Sequence, residues 1–81
     1  MDYYNEIRQF LESNGDFWQF EDYPLWAETN EFEIIKVQEI FIDDDAELSI
    51  SYYDDSSMTR VMKVTNLYDP DDFLEKAYYL L

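Results

Sequence analysis

Residues 32–65, FEIIKVQEIFIDDDAELSISYYDDSSMTRVMKVT, decide the fold, because two acidic turns divide this stretch into three runs of β-forming residues. The first run, from Phe32 to Ile42, is rich in β-branched and aromatic residues. Apolar residues occupy both of its alternating faces. We therefore predict that residues 32–42 form one long central strand that is covered on both sides.

Two acidic turns lead from this strand into the rest of the sheet. Residues 43–46 (DDDA) predict the first turn, because Asp is favoured in turns. Residues 47–53 then alternate between polar and apolar side chains, which indicates a half-buried strand. Residues 54–57 (DDSS) predict the second turn, and residues 58–65 predict a third strand that pairs antiparallel with the second.

The segment before the strands has the spacing of an amphipathic helix. Its apolar positions fall on one helical face, and they are Tyr3, Ile7, Phe10 and Leu11. Asp2 is placed to cap the start of this helix, and Asn14-Gly15 is placed to end it, because glycine readily adopts the left-handed conformation of a helix end. We therefore predict a helix over residues 2–14.

The segment after the strands begins with a helix-initiation pattern. Asp69 is the predicted N-cap and Pro70 the first helical residue, while Asp71 and Asp72 stand where the helix dipole favours anions. The predicted buried stripe of this helix consists of Phe73, Leu74, Ala77, Tyr78 and Leu81.

Residues 16–31 follow neither the helical nor the strand period. Pro24 excludes a helix through the middle of this segment and is tolerated at a strand edge or start. We therefore predict a short edge strand over Leu25 to Glu28, followed by a hairpin turn at Thr29-Asn30. The aromatic residues Trp18 and Trp26 are either core residues or contacts for a partner.

Together these elements predict an α+β fold: a three- to four-stranded antiparallel β-meander flanked by N- and C-terminal α-helices (α-β-β-β-α). Both helices are expected on one face of the sheet. The 81 residues suffice for one domain, residues 1–81. A content of 47% hydrophobic and 20% aromatic residues supports a packed core. One member of the Tyr52-Tyr53 pair should face away from that core.

The composition disfavours most enzymes. The chain has no His and no Cys, which removes the commonest acid–base group and metal ligands, and its single Gly provides no phosphate-binding loop. We expect no catalytic residue, no metal and no cofactor. Read as a calcium loop from Asp43, the sequence has Leu48 where glycine is required. The sequence shows neither a signal peptide nor a membrane span, so a cytoplasmic location is expected.

The formal net charge of −15 is the most unusual property of the sequence. Over a domain about 30 Å across, this charge approaches the linear charge density of duplex DNA. The predicted topology gathers the acids at two poles. The first pole consists of Asp43, Asp44, Asp45, Asp69, Asp71 and Asp72, and the second of Glu28, Glu31, Asp54 and Asp55. For the turn and cap residues, a purely structural role is the alternative.

In size, charge and element order, the chain resembles the small acidic inhibitors that phages and mobile elements encode, including DNA mimics and anti-CRISPR proteins. The resemblance implies that carboxylates take the place of phosphates on a basic nucleic-acid-binding protein, such as a nuclease or CRISPR effector, without direct nucleic acid binding. The predicted partner-binding residues are the two poles together with Trp18 and Trp26. The alternatives are an immunity or antitoxin-type protein that neutralises a cognate toxin, and a homodimer formed through exposed aromatics.

Overall fold

The computed structural model describes residues 3–20 and 24–80. These residues form two helices and seven strands, and their bounds are α1 Tyr3–Glu12, β1 Phe17–Gln19, β2 Leu25–Glu28, β3 Ile34–Val37, β4 Glu39–Ile42, β5 Leu48–Tyr53, β6 Thr59–Lys63, β7 Leu67–Tyr68 and α2 Pro70–Leu80. The α+β class, with antiparallel strands between N- and C-terminal helices, is confirmed.

The strands form two antiparallel sheets. The first sheet has the order β1-β4-β5-β6, and the second has the order β3-β2-β7. The predicted meander is the β4-β5-β6 part of the first sheet, in which Ile50 lies opposite Ile40 on one side and Met62 on the other. The register places these apolar side chains on the same face, towards the helices.

The long strand predicted over residues 32–42 is wrong. The chain bends at Gln38, so that β3 joins the second sheet while β4 stays in the first. Val37 and Ile40 are both fully buried. Because they are three positions apart, a straight strand would point them to opposite faces. The bend lets both side chains reach one core.

The edge position predicted for Leu25 to Glu28 is also wrong. This strand, β2, lies in the middle of the second sheet, between β3 and β7. Proline has no N–H to donate, but Pro24 precedes the strand, so the hydrogen bonds between the strands are complete without it. The hairpin turn predicted at Thr29-Asn30 is confirmed, since the Thr29 N–H donates to the carbonyl of Glu33 at 2.8 Å.

Both helices contribute aromatic and aliphatic side chains to one core. Phe10 of α1 lies edge-on to Trp18, Phe73 and Tyr78, with ring centroids 5.2 to 5.9 Å apart. Most of the predicted apolar stripes are buried, namely Ile7, Phe10, Leu11, Phe73, Leu74 and Ala77. Tyr78 is an exception, because 56% of it is exposed. Asp2 and Leu81 lie outside the described residues.

Candidate partner-binding surface

Three hairpin turns share one construction. In each, a side-chain oxygen of the first residue accepts hydrogen bonds from the N–H groups two and four residues later, at 2.9 to 3.2 Å. The fourth residue of each turn has a left-handed backbone. The first residues are Thr29, Asp43 and Asp54, and the left-handed residues are Phe32, Ala46 and Ser57, with φ of 64°, 60° and 62°. These hydrogen bonds fix the conformation of the three hairpin turns, which contain most of the acidic turn residues.

The carboxylate of Asp43 is used inside its own turn. Its second oxygen, Oδ2, accepts hydrogen bonds from Ser49 Oγ at 2.6 Å and from Lys63 Nζ at 2.8 Å. The Lys63 ammonium, followed by the Ser49 hydroxyl, holds the pKa of Asp43 well below its usual range. The same contact raises the pKa of Lys63. Asp43 therefore stabilises the hairpin, as the structural alternative predicts.

Asp54 has the same role in the next turn. Its Oδ2 accepts a hydrogen bond from Arg60 Nε at 2.8 Å. This bond, followed by the bond from the Met58 N–H, lowers the pKa of Asp54. Of the acids predicted to bind a partner, Asp43, Asp45 and Asp54 are thus held by contacts with Lys63 or Arg60, whereas Asp44 and Asp55 are exposed.

An acidic groove of about 510 Å³ lies between the tips of the β2–β3 and β5–β6 hairpins. Its lining residues are Glu31, Glu33, Ile35, Tyr52, Tyr53, Asp54, Asp55, Ser56 and Arg60. Four carboxylates therefore share the groove with one guanidinium, whose Nε is bound to Asp54. The acidic groove brings together three of the four residues of the second predicted pole.

Glu28 is the member of that pole which stands apart. It lies half-buried on β2, where its carboxylate accepts hydrogen bonds from the Asn66 amide at 3.4 Å and the Tyr68 hydroxyl at 3.2 Å. Desolvation, and next the hydrogen bond to Glu28, raise the pKa of Tyr68. These contacts join β2 to β7 and to Asn66, the residue that precedes β7.

The first predicted pole is divided by the fold. The prediction assumed that the second helix follows the third strand directly, but β7 intervenes and pairs with β2 at Trp26 and Ala27. The start of α2 therefore lies beside the second sheet. Around the 43–47 turn, Lys63 lies within 3.4 Å of carboxylate oxygens from Asp43, Asp45 and Glu47. A base within the protein thus partly neutralises this cluster.

Asp69, Asp71 and Asp72 lie at the start of α2. The Asp69 carbonyl accepts hydrogen bonds from the N–H groups of Asp72 and Phe73 at 3.1 and 3.3 Å. Lys76 pairs with Asp72 at 3.1 Å, one turn along the helix. Asp71 is exposed in the first turn. α2 begins at Pro70, as predicted. Asp69 has a left-handed backbone with φ of 51°, and the bonds of this turn are accepted by its carbonyl and not by its carboxylate, so the predicted side-chain cap is not observed in the described part of the chain.

The two tryptophans have different environments. Trp18 is half-buried, and its ring packs against Phe10 at a centroid distance of 5.2 Å, which agrees with the core alternative. Trp26 is 43% exposed on the outer face of the second sheet. Of the paired tyrosines, Tyr52 is half-buried and Tyr53 is 58% exposed, so the predicted alternation is confirmed.

Two charged residues of the acidic groove, Glu33 and Arg60, are not among the predicted partner-binding residues. The predicted long strand includes Glu33, and the predicted role of Asp54 in its turn does not include a pairing with Arg60. A signal for Arg60 is present in the sequence. In both acidic turns a basic or hydroxyl residue stands six positions after the first Asp, as Ser49 does after Asp43 and Arg60 after Asp54.

Comparisons with protein-family models, with curated proteins and with solved structures gave no match to this chain. Within residues 3–20 and 24–80, neither helix has the length and apolar character needed to cross a bilayer. In that same part of the chain, no three acidic side chains are grouped so as to hold a metal ion.

Proposed function

We propose that this protein is an acidic inhibitor that binds the basic nucleic-acid-binding surface of a host nuclease or defence complex, as DNA mimics and anti-CRISPR proteins do. The observation that carries the proposal is the acidic groove. There, carboxylates from two hairpin tips line one concave surface, and the single base is already bound to Asp54. A row of basic side chains on a partner fits such a surface as it fits phosphates.

The distribution of charge over the rest of the molecule supports the same proposal. All 17 acidic residues within the described ranges are exposed or half-exposed. Three of the five bases in the chain, Arg60, Lys63 and Lys76, form ion pairs with its own acids. The remaining negative charge is free to attract a cationic partner over several ångströms and to accelerate its association.

The experiment measures how well the protein displaces a fluorescein-labelled DNA duplex from purified DNA nucleases and CRISPR effectors, by fluorescence anisotropy at two salt concentrations. A groove variant carries Glu31→Gln, Glu33→Gln and Asp55→Asn. These positions spare Asp54, which holds the turn. A control variant, with Glu12→Gln, Asp16→Asn and Glu75→Gln, removes the same formal charge from exposed positions elsewhere.

We expect the groove variant to displace DNA at least about tenfold less well than the control variant, with a smaller dependence on salt. Equal losses in the two variants would show that net charge alone acts, and the groove would be rejected as the site. Failure of the unmodified protein to displace DNA from any of these proteins would reject the proposed function itself.

A further inference from the structure

An exposed apolar face lies on the other side of the hairpin that forms one wall of the acidic groove. Glu33 and Ile35 line the groove, so the alternate residue Ile34 points to the opposite face of β3. Ile34 is 61% exposed there, and Trp26 and Tyr68 lie on the same outer face of the second sheet, 43% and 37% exposed. Two charged residues share this face, because Glu28 lies opposite Ile34 and Lys36 lies opposite Trp26. Phe32, at the tip of this hairpin, is 82% exposed.

Phe32 occupies an exposed position with an unfavourable backbone conformation. It has a left-handed backbone with φ of 64°, which is unfavourable for a bulky residue, and most of its ring is in water. Its equivalents in the other two turns are the small residues Ala46 and Ser57. The large ring is therefore not needed to build this type of turn.

The net negative charge of the protein indicates which kind of molecule can cover this apolar face. A second copy would bring another 15 net negative charges against the first, and Glu31 and Glu33 flank the ring on either side in sequence. A basic partner with an apolar recess beside its cationic residues satisfies both sides of the hairpin at once.

We propose that the inhibitor's contact with its basic partner extends over the β2–β3 hairpin tip, where Phe32 and Ile34 insert into an apolar recess of that partner. This inference rests on the proposed function. The carboxylates of the groove attract and orient the partner, while the apolar side chains slow its dissociation. Aromatic anchors surrounded by polar residues commonly carry most of the affinity of an interface.

The test uses the double variant Phe32→Asn/Ile34→Thr. Asn tolerates the left-handed backbone and Thr suits an exposed strand, so this protein should fold at least as stably as the original. The matched control is Tyr79→Gln, which removes an aromatic ring that is 89% exposed on α2. Both are compared with the unmodified protein in the displacement assay, against the nuclease or effector that it displaces from DNA most effectively.

We expect the double variant to displace DNA about tenfold less well or worse, with an unchanged salt dependence, while Tyr79→Gln behaves as the original does. An unchanged affinity of the double variant would overturn this inference and leave the proposed function standing. If the unmodified protein displaces no DNA, both proposals fail. Sedimentation giving a dimer that the double variant abolishes would assign the apolar face to a second copy and also overturn the inference.

Discussion

Arg60 Nε lies 2.8 Å from Asp54 Oδ2. This contact joins the one basic residue of the acidic groove to the residue that accepts the backbone hydrogen bonds of the β5–β6 turn. The other oxygen of Asp54 accepts both backbone hydrogen bonds of the turn, from Ser56 and Met58. Arg60 is therefore not required for the turn itself. The main effect of Arg60 on the acidic groove is to offset one of its four negative charges.

Replacing Arg60 with a neutral residue should strengthen partner binding. In Arg60→Gln the groove loses its positive charge, and we expect affinity for a basic DNA-binding protein to rise about two- to fivefold at low salt. The displacement assay measures the change, and the gain should shrink as salt is added. Weaker binding by Arg60→Gln, in a protein whose folding is intact by circular dichroism, would mean that the partner contacts the guanidinium directly.

Asp43 should control the acid stability of the protein. Its pKa is lowered in the folded state, so its charged form stabilises the fold above the ordinary Asp pKa of about 3.9, and this contribution is lost as pH falls below that value. We expect Asp43→Asn to be less stable than the original at pH 7 and to depend less on pH below about pH 4.

Urea unfolding at a series of pH values tests the role of Asp43. Asp44→Asn is the control, because Asp44 is exposed and the hydrogen bonds of this turn go to Asp43. The control should follow the acid profile of the original. An Asp43→Asn profile parallel to that of the original at all pH values would contradict the assigned role.

Glycine should stabilise two of the three turns. Ala46 and Ser57 have left-handed backbones that cost a non-glycine residue free energy. We expect Ala46→Gly and Ser57→Gly each to raise the free energy of unfolding by about 0.5 kcal/mol, because the relief of strain exceeds the added chain entropy of the unfolded state. Gln9→Gly, in the middle of α1, should lower it by a similar amount. Destabilisation by both turn variants would show that these backbones are not strained.

Gly15 should be required for its backbone and not for its size. Its φ is 86°, while a Cβ added there would meet no atom within 4 Å. Gly15→Ala is therefore expected to lower the free energy of unfolding by about 1 kcal/mol, and Gly15→Asn by less. Thermal unfolding compares the three proteins. A Gly15→Ala protein as stable as the original would contradict the proposed helix end.

The helices and the tight turns could be predicted because their signals are local. Pro70, the first residue of α2, and the single glycine after α1 each specify a backbone conformation without reference to distant contacts. The two acidic turns are specified in the same way, by an Asp whose carboxylate bonds to N–H groups within four residues.

The division into two sheets could not be predicted from such signals. The bend at Gln38 depends on hydrogen bonds to Ser51 and Phe20, which are distant in sequence. β7 is two residues long and owes its conformation to pairing with β2. The candidate site could be predicted only in part, because the path of β3 depends on this bend. Glu33 lies just before β3, the strand that this bend diverts into the second sheet, and it lines the acidic groove beside Glu31.

A test of mutual exclusion addresses the central claim, namely that the acidic groove occupies the place of nucleic acid on its partner. A nuclease or effector that binds both molecules is mixed with saturating labelled duplex and an excess of the protein, and the products are separated by size-exclusion chromatography at low salt. The account predicts two binary complexes and no ternary complex. A stable complex containing the partner, the duplex and this protein together would contradict it.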